Sequence, residues 1–547
     1  MTGYTAHIDR FARNNLPPRD QWPEFRFDLA GLDYPDRLNA AAELLDRWVE
    51  RGEGGRRCLV GPGSEWSYAE TQERVNRIAN VLVRDFGLQP GNRVLLRAPN
   101  SPVMVAVYLA ALKAGAVVVA TMPLLRPREL SFVIDKARVS HAVCDARLAE
   151  DLEKARTASD SLEHVVYFGT SANDGLEARM AAAPAGFTPV DTAAEDVCLI
   201  GFTSGTTGRP KGTMHFHRDL LATCDTYGRH VLQPGGDDLF IGSPPIAFTF
   251  GLGGLVLFPM RVGAASVLIE QAPPAKLLEA IETFRPTVCF TAPTAYRAMA
   301  AMLDEHDVSS LRVCVSAGEP LPRPTWDAWH DRTGIKILDG IGSTEMLHIF
   351  IGAPEDKVRP GATGLPVPGY EARVIDEEGR EVAPDTVGRL AVRGPTGCRY
   401  LADERQTTYV VDGWNLTGDT YVKDADGYYW FHARGDDMII SSGYNIAGPE
   451  VEEALLSHPA VADCGVVGAP HEERGQIVTA YVVLKPGHHG DAAMSKALVD
   501  HVKAEIAPYK HPRAVVFVDS LPRTQTNKLQ RFVLRQWAQA PGHVKAG

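Results

Sequence analysis

The apolar run Val197-Cys198-Leu199-Ile200, followed closely by Thr203-Ser204-Gly205-Thr206-Thr207-Gly208-Arg209-Pro210-Lys211-Gly212, decides how the rest of this chain is read. Its first part reads as the end of a strand. Its second part is too rich in glycine and hydroxyl residues to pack a core. It can turn sharply and aim backbone N–H groups, hydroxyls and one ammonium at a polyanion. A loop at the carboxyl end of a strand is where α/β proteins bind phosphates. The same composition also suits a plain surface loop. It is not a Walker A loop, because Pro210 precedes Lys211 and Gly212 follows it.

Outward from this stretch, between about residues 65 and 320, helical patterns alternate with short β-branched runs such as Arg93-Val94-Leu95-Leu96, Val117-Val118-Val119, Ala142-Val143-Cys144, Ala265-Ser266-Val267-Leu268 and Val288-Cys289-Phe290. That rhythm predicts an α/β fold with doubly wound parallel sheets. Residues 360–433 change character, with Gly and Pro between short strands and an Asp426-Gly427 turn, which predicts an antiparallel β subdomain. After Arg434-Gly435-Asp436 the chain restarts as a small α+β unit, in which Pro449-Glu450-Val451 opens a helix. The expected division is 1–434 and 435–547. Val103 to Leu125 is apolar enough to be weighed as a membrane span, but Lys113, Gly115 and Pro123 divide it into a buried helix and a Val-rich strand.

Bulk properties exclude several classes. A net charge of −12 disfavours a general nucleic-acid binder, and a mean hydropathy of −0.13 is that of an ordinary soluble enzyme. The eight cysteines stand singly, several inside apolar runs, so reduced core thiols are expected. The N-terminal residues show no basic region followed by an apolar core, so no signal peptide is expected and a cytoplasmic location is. His488-His489 on a glycine loop lacks ligand spacing.

Six strings in order resemble those of the acyl-adenylate-forming superfamily of acyl- and aryl-CoA ligases, adenylation domains and luciferases. They are the 203–212 loop, Ile341-Gly342-Ser343-Thr344-Glu345, Gly388-Arg389-Leu390, Thr417-Gly418-Asp419, Arg434-Gly435-Asp436-Asp437 and Pro522-Arg523-Thr524-Gln525-Thr526-Asn527-Lys528, with Asn527 where Gly is usual. The resemblance implies two large-domain subdomains with parallel sheets, a β subdomain and a small mobile C-terminal domain, with the hinge near 434–437 at Asp436. It also implies ATP, Mg²⁺ and coenzyme A as partners of a small carboxylic acid, in a monomer or homodimer with no membrane or nucleic acid.

By the same resemblance Thr203, Ser204, Gly205, Thr206, Thr207, Gly208 and Lys211 take the phosphates, with Lys211 also catalytic. Thr344 bonds the α-phosphate and Glu345 holds the metal, although a Glu after Thr is also common at a helix start. Gly318, Glu319 and Pro320 flank the adenine, Asp339, Gly340 and Ile341 also bind the nucleotide, Asp419 takes the ribose hydroxyls, and Arg434 makes a second contact to ribose or phosphate. Lys528 bridges carboxylate and α-phosphate, and its loss is expected to cost about 10²–10³ in adenylation. Ser442, Gly443 and Tyr444 face the thiol of coenzyme A.

Ala247, Phe248, Phe250, Gly342 and His348 are expected to line the acid pocket. It holds no acid to pair an α-ammonium, which argues against an amino acid substrate. The surrounding strings look most like those of benzoate- and 2-aminobenzoate-CoA ligases; His348 would touch the ring or an ortho substituent, or be a satisfied core histidine. A medium-chain acyl-CoA ligase and a stand-alone enzyme loading a carrier protein are the alternatives.

Overall fold

A computed structural model describes residues 3–203, 210–318, 321, 323–434, 438–522, 529 and 531–539; at 294, 324, 432–434, 438, 445, 447, 449, 453 and 532 it describes the backbone alone. The chain forms two compact units. The first comprises Met1–Pro123, Val133–Phe202 and Gly212–Ala433; the second comprises Leu124–Phe132, Thr203–Lys211 and Arg434–Gly547.

The stretch that opened the sequence reading lies in a six-stranded sheet ordered His164–Phe168, His141–Asp145, Arg93–Arg97, Val117–Thr121, Val197–Thr203, Lys211–Phe216. Arg93–Arg97 pairs parallel with both neighbours, so a crossover must link it to Val117–Thr121. The crossover is the helix Pro102–Lys113. Ser101 caps it by accepting the Met104 N–H at 3.2 Å. Pro102 fits its first turn, and every residue except Val103 is buried. Its membrane-like composition is therefore that of a helix covered on all sides. Lys113 is tolerated there because Asp46 and Asn76 accept from its ammonium at 2.8 and 2.6 Å, and a buried charge is stable only when so paired.

A nine-stranded sheet runs Leu365–Pro366, Ile349–Gly352, Ile337–Gly342, Val313–Ser316, Val288–Thr291, Leu239–Gly242, Ala265–Val267, Arg57–Gly61, Ser64–Ser67. Its interior pairs are parallel, and hairpins add antiparallel strands at both edges. A third, antiparallel sheet contains Glu371–Ile375, Val387–Arg393, Trp414–Lys423, Val410–Val411 and Tyr429–Arg434. Gly427, at φ +88°, turns the chain between the last long strands, as an Asp-Gly pair should. Among the described residues three segments are π-helical: Ala42–Asp46, Cys224–Leu232 and Gly253–Leu257.

The second unit has its own five-stranded sheet, ordered Tyr444–Ala447, Met438–Ser441, Gly475–Leu484, Val461–His471, with Ala514–Phe517 joining parallel to Gly475–Leu484. The helices Gly448–Leu456 and Ala492–Glu505 accompany it. All eight cysteines are buried thiols without disulfides. Among the described residues no helix is long and apolar enough to cross a membrane.

Candidate active site

The Thr344-Glu345 string is the loop of a hairpin. Ile341 pairs with Ile351 and Gly342 with Ile349, which leaves Ser343 to His348 to reverse the chain. The turn is tight. Ser343 Oγ accepts the Met346 N–H at 3.1 Å, Thr344 O accepts the Leu347 N–H at 3.2 Å, and Leu347 adopts φ +70° without being glycine. Such a residue costs about 1–3 kcal/mol and persists only where its surroundings hold it; Leu347 is 1% exposed. A Cβ on Gly342 would lie 2.7 Å from His348 O, so the closing strands need glycine there.

Two contacts place Thr344 beside the carboxyl end of Val197–Thr203. A Cβ on Gly201 would meet Thr344 Cγ2 at 2.8 Å, and the His215 Nε2–H donates to Thr344 O at 2.7 Å. Behind His215, Asp219 accepts from Arg399 and from the Phe216 N–H, and the Arg399 guanidinium lies 3.9 Å from the Phe216 ring centroid. Despite burial, Arg399 and His215 hold the Asp219 carboxyl below its usual range.

Glu345 is buried, and Tyr400 Oη donates to its Oε1 at 2.6 Å. Asp419 lies on Trp414–Lys423 where the register against Val387–Arg393 shifts: Ala391 faces Leu416 but Arg389 faces Thr420. The extra residues Thr417-Gly418-Asp419 bulge out. Gly418 takes φ +81° there, and the Asp419 N–H donates to Thr417 Oγ1 at 3.2 Å. Tyr409 feels the field of both carboxylates. Burial first, then Glu345 and, more weakly, Asp419 push its phenol well above the usual range. Asp339 stands on Ile337–Gly342, followed by Gly340 and Ile341; loss of hydration pushes its carboxyl up, and the Gly340 N–H and Ser316 oppose this. Gly318, at φ +90°, turns the chain after Val313–Ser316.

Three residues past Glu345, His348 stands among aromatic rings. Ring centroids lie 4.6 Å away for Phe258, 5.4 Å for Tyr227, 5.8 Å for Phe250 and 6.5 Å for Phe290. A Cβ on Gly253 would collide with the imidazole, and one on Gly254 would sit 2.6 Å from Phe290. Burial pushes the His348 pKa down to about 3, so the ring is neutral at physiological pH. The Phe250 backbone opposes this shift, yet neither imidazole nitrogen, nor the Tyr227 hydroxyl, has a partner in hydrogen-bond geometry. Ala247 and Phe250 are half-buried at the edge of this core; Phe248 is 37% exposed and is not in ring contact with His348.

In the second unit Ser442-Gly443 is a two-residue hairpin loop between Met438–Ser441 and Tyr444–Ala447. Its residues take φ +50° and +81°. Tyr444 stacks on Tyr509 at 4.3 Å, and Arg474 Nη1 donates to Ser442 Oγ at 3.1 Å.

The structure therefore sets Tyr409 within electrostatic reach of both Glu345 and Asp419 and sets His348 with Phe250. Thr203 closes one strand and Lys211 opens the next. Ser204, Gly205, Thr206, Thr207, Gly208, Glu319, Pro320, Asp436 and Lys528 lie outside the described residues, as does the Arg434 side chain. Sequence reasoning missed Tyr400, Tyr409, Tyr227, Phe258 and Phe290, all of which reach the site from distant stretches.

Hard oxygen donors suit Mg²⁺, which binds through one or two carboxylates plus substrate phosphates and water. Among the described residues no three His, Cys, Asp or Glu side chains form a metal cage. Glu345, a single buried carboxylate, fits a metal brought in by a nucleotide.

Residues 45–400 match the family model for AMP-binding enzymes, and residues 450–528 match that for the AMP-binding enzyme C-terminal domain. The chain is 38% identical over 510 residues to a benzoate–CoA ligase of Thauera aromatica, covering 92% of this chain and 97% of that protein. Among solved structures, the anthranilate CoA ligase AuaEII in complex with anthranoyl-AMP is 35% identical, with TM-score 0.73 over 93% of this chain and 99% of that one. The amide bond synthetase McbA from Marinactinospora thermotolerans is 28% identical, with TM-score 0.83 over 92% and 100%.

Proposed function

The chain belongs to the AMP-binding enzyme family, and from that premise we propose that its preferred acid is a benzoate bearing an ortho amino group, 2-aminobenzoate. The coarser activity is that of an AMP-forming aryl-CoA ligase using ATP, Mg²⁺ and coenzyme A. A carboxylate oxygen attacks the α-phosphorus of ATP and pyrophosphate leaves. The thiol sulfur then attacks the acyl carbon, AMP leaves, and a thioester remains.

The observation that carries the finer reading is the neutral, dry imidazole of His348 with both nitrogens unpartnered. Buried polar atoms are nearly always bonded. A neutral imidazole offers one donor and one acceptor, and a ring amino group can satisfy the acceptor while the aromatic walls pack the ring. Unsubstituted benzoate or a medium-chain acid leaves both nitrogens bare. Leaving such a group unsatisfied costs about 1–3 kcal/mol, so a preference of at least about tenfold over benzoate is expected.

In this reading Lys211 and the 203–208 stretch hold the β- and γ-phosphates, Thr344 the α-phosphate and Asp419 with Arg434 the ribose. Glu345 would hold the metal, which supplies charge neutralisation between the two approaching anions. Gly318, Glu319, Pro320, Asp339, Gly340 and Ile341 flank the adenine, and Lys528 stabilises the charge that develops at the α-phosphate. Ser442, Gly443 and Tyr444 line the thiol's approach, and Asp436 is the pivot between half-reactions.

The test is pyrophosphate release and thioester yield with 2-aminobenzoate, benzoate, salicylate and octanoate, each with coenzyme A, an amine or neither. Sustained turnover led by 2-aminobenzoate and dependent on coenzyme A is expected. Octanoate in the lead would overturn the aromatic reading. Turnover indifferent to coenzyme A would move the acceptor to an amine or a carrier protein.

A further inference from the structure

Tyr400 stands 55 residues beyond Glu345 in sequence, yet its hydroxyl lies 2.6 Å from Glu345 Oε1. Both side chains are nearly dry, at 1% and 6% exposure. A phenol donating to a carboxylate at this distance in a low-dielectric setting makes one of the stronger neutral-to-charged hydrogen bonds.

The tyrosine is itself held in place. Its backbone N–H donates to Gln406 Oε1 at 2.8 Å, and Gln406 Nε2 donates in turn to Gln21 O and Cys398 O at 2.8 and 3.2 Å. Tyr400 also faces Thr213 in an antiparallel bridge. On either side the Met214 N–H donates to Arg399 O and the Leu401 N–H to Gly212 O, each at 2.8 Å. Tyr409 packs edge-on at 5.7 Å. A strand-like ladder and a buried amide network fix the backbone from which the phenol projects, and Tyr409 packs against its ring.

We infer that Tyr400 is a positioning residue for the Glu345 carboxylate: by occupying Oε1 it fixes the side-chain torsions and presents Oε2 in one direction. A glutamate has three torsions to lose, and a carboxylate locked before the nucleotide arrives avoids that ordering cost on binding. His215 complements this at the neighbouring residue, since its bond to Thr344 O fixes the backbone from which Glu345 projects. The inference rests on the reading of Glu345 as the residue that faces the nucleotide's metal. Groups that orient a metal-facing residue are typically worth about 10–100-fold in metal affinity or activity.

The test uses the full-length protein and compares Tyr400→Phe and Glu345→Gln with wild type. Binding of a non-hydrolysable ATP analogue is measured by calorimetry in EDTA and again with saturating Mn²⁺, and bound Mn²⁺ is followed by its electron paramagnetic resonance signal. Tyr400→Phe is expected to leave metal-free nucleotide affinity unchanged and to cut the metal-dependent gain by about 10–100-fold. Equal losses in both conditions would make Tyr400 merely structural and overturn the inference, and so would an intact metal-dependent gain. Because each protein serves as its own metal-free reference, a general loss of stability cancels. Glu345→Gln separates the two layers. If it keeps the full metal-dependent gain, the reading of Glu345 fails; if it loses the gain while Tyr400→Phe keeps it, only the role of Tyr400 fails.

Discussion

Glu345 and His348 stand three residues apart in one tight loop, and their surroundings are opposites. Around Glu345 the polar groups are already committed to one another: Tyr400 to the carboxylate, His215 to the Thr344 carbonyl, Arg399 to Asp219. Around His348 the neighbours are mainly aromatic carbon; the Phe250 backbone favours its proton, but the two imidazole nitrogens and the Tyr227 hydroxyl have no partner in hydrogen-bond geometry. The difference separates two ways of building a site. In the proposed reading, a group whose geometry must be fixed before the substrate arrives is bonded by the protein, and a group that must recognise the substrate is left bare for it.

That contrast can be broken by substitution. Glu345→Gln removes the committed charge itself and should lower adenylation by about 10²–10³-fold, measured as ATP–pyrophosphate exchange, with melting temperature as the control for folding. Tyr400→Phe keeps the charge and loses only its anchor, so a smaller loss of about 10–100-fold is expected in kcat/KM for ATP with Mg²⁺ present. Gly253→Ala pushes a methyl into His348. It should raise KM for the aromatic acid by about tenfold while the KM for ATP stays put, because it reshapes only the unbonded side.

The smallest effect is on stability against acid. His348 and His217 are both buried with their pKa values held down to about 3, and His217 Nδ1 accepts the Ala40 N–H at 3.1 Å, a bond that requires the unprotonated nitrogen. A histidine depressed in the folded state contributes its full stability above the unfolded value near 6.5 and loses it as pH falls from there toward about 3. Each should cost about 2 kcal/mol of stability by pH 5, at about 1.36 kcal/mol per unit. His217→Asn should therefore flatten the decline in unfolding free energy between pH 6.5 and 5; an unchanged slope would contradict the neutral, buried assignment.

Most of the polar side was legible in the sequence because its parts are local. Thr344, Glu345 and Asp419 lie in short strings that resemble those of a known family, and the alternation of apolar runs announced the parallel strands of the two large sheets. The long apolar stretch from Val103 was also readable, as a capped buried helix, since Lys113 and Gly115 mark its end. Tyr400 was not readable: nothing near Cys398-Arg399-Tyr400-Leu401 says that its phenol reaches a carboxylate in another sheet. Tyr227 and Gly253 escaped for a different reason. Both sit in π-helical segments, Cys224–Leu232 and Gly253–Leu257, where the period of about 3.6 residues that identifies a buried helix face no longer applies. The need for glycine at 201 and 253 comes from Thr344 and His348, which only the folded chain brings near.

The central claim is that the bare imidazole of His348 is there for a substituent on the substrate's ring. Its most direct test is the ratio of kcat/KM for coenzyme A thioester formation with 2-aminobenzoate to that with benzoate, measured for wild type and His348→Leu. A ratio of at least about 10 is expected in the wild type, falling to near 1 in the variant through loss on the 2-aminobenzoate side. A wild-type ratio near 1, or a large ratio that survives removal of the imidazole, would contradict it.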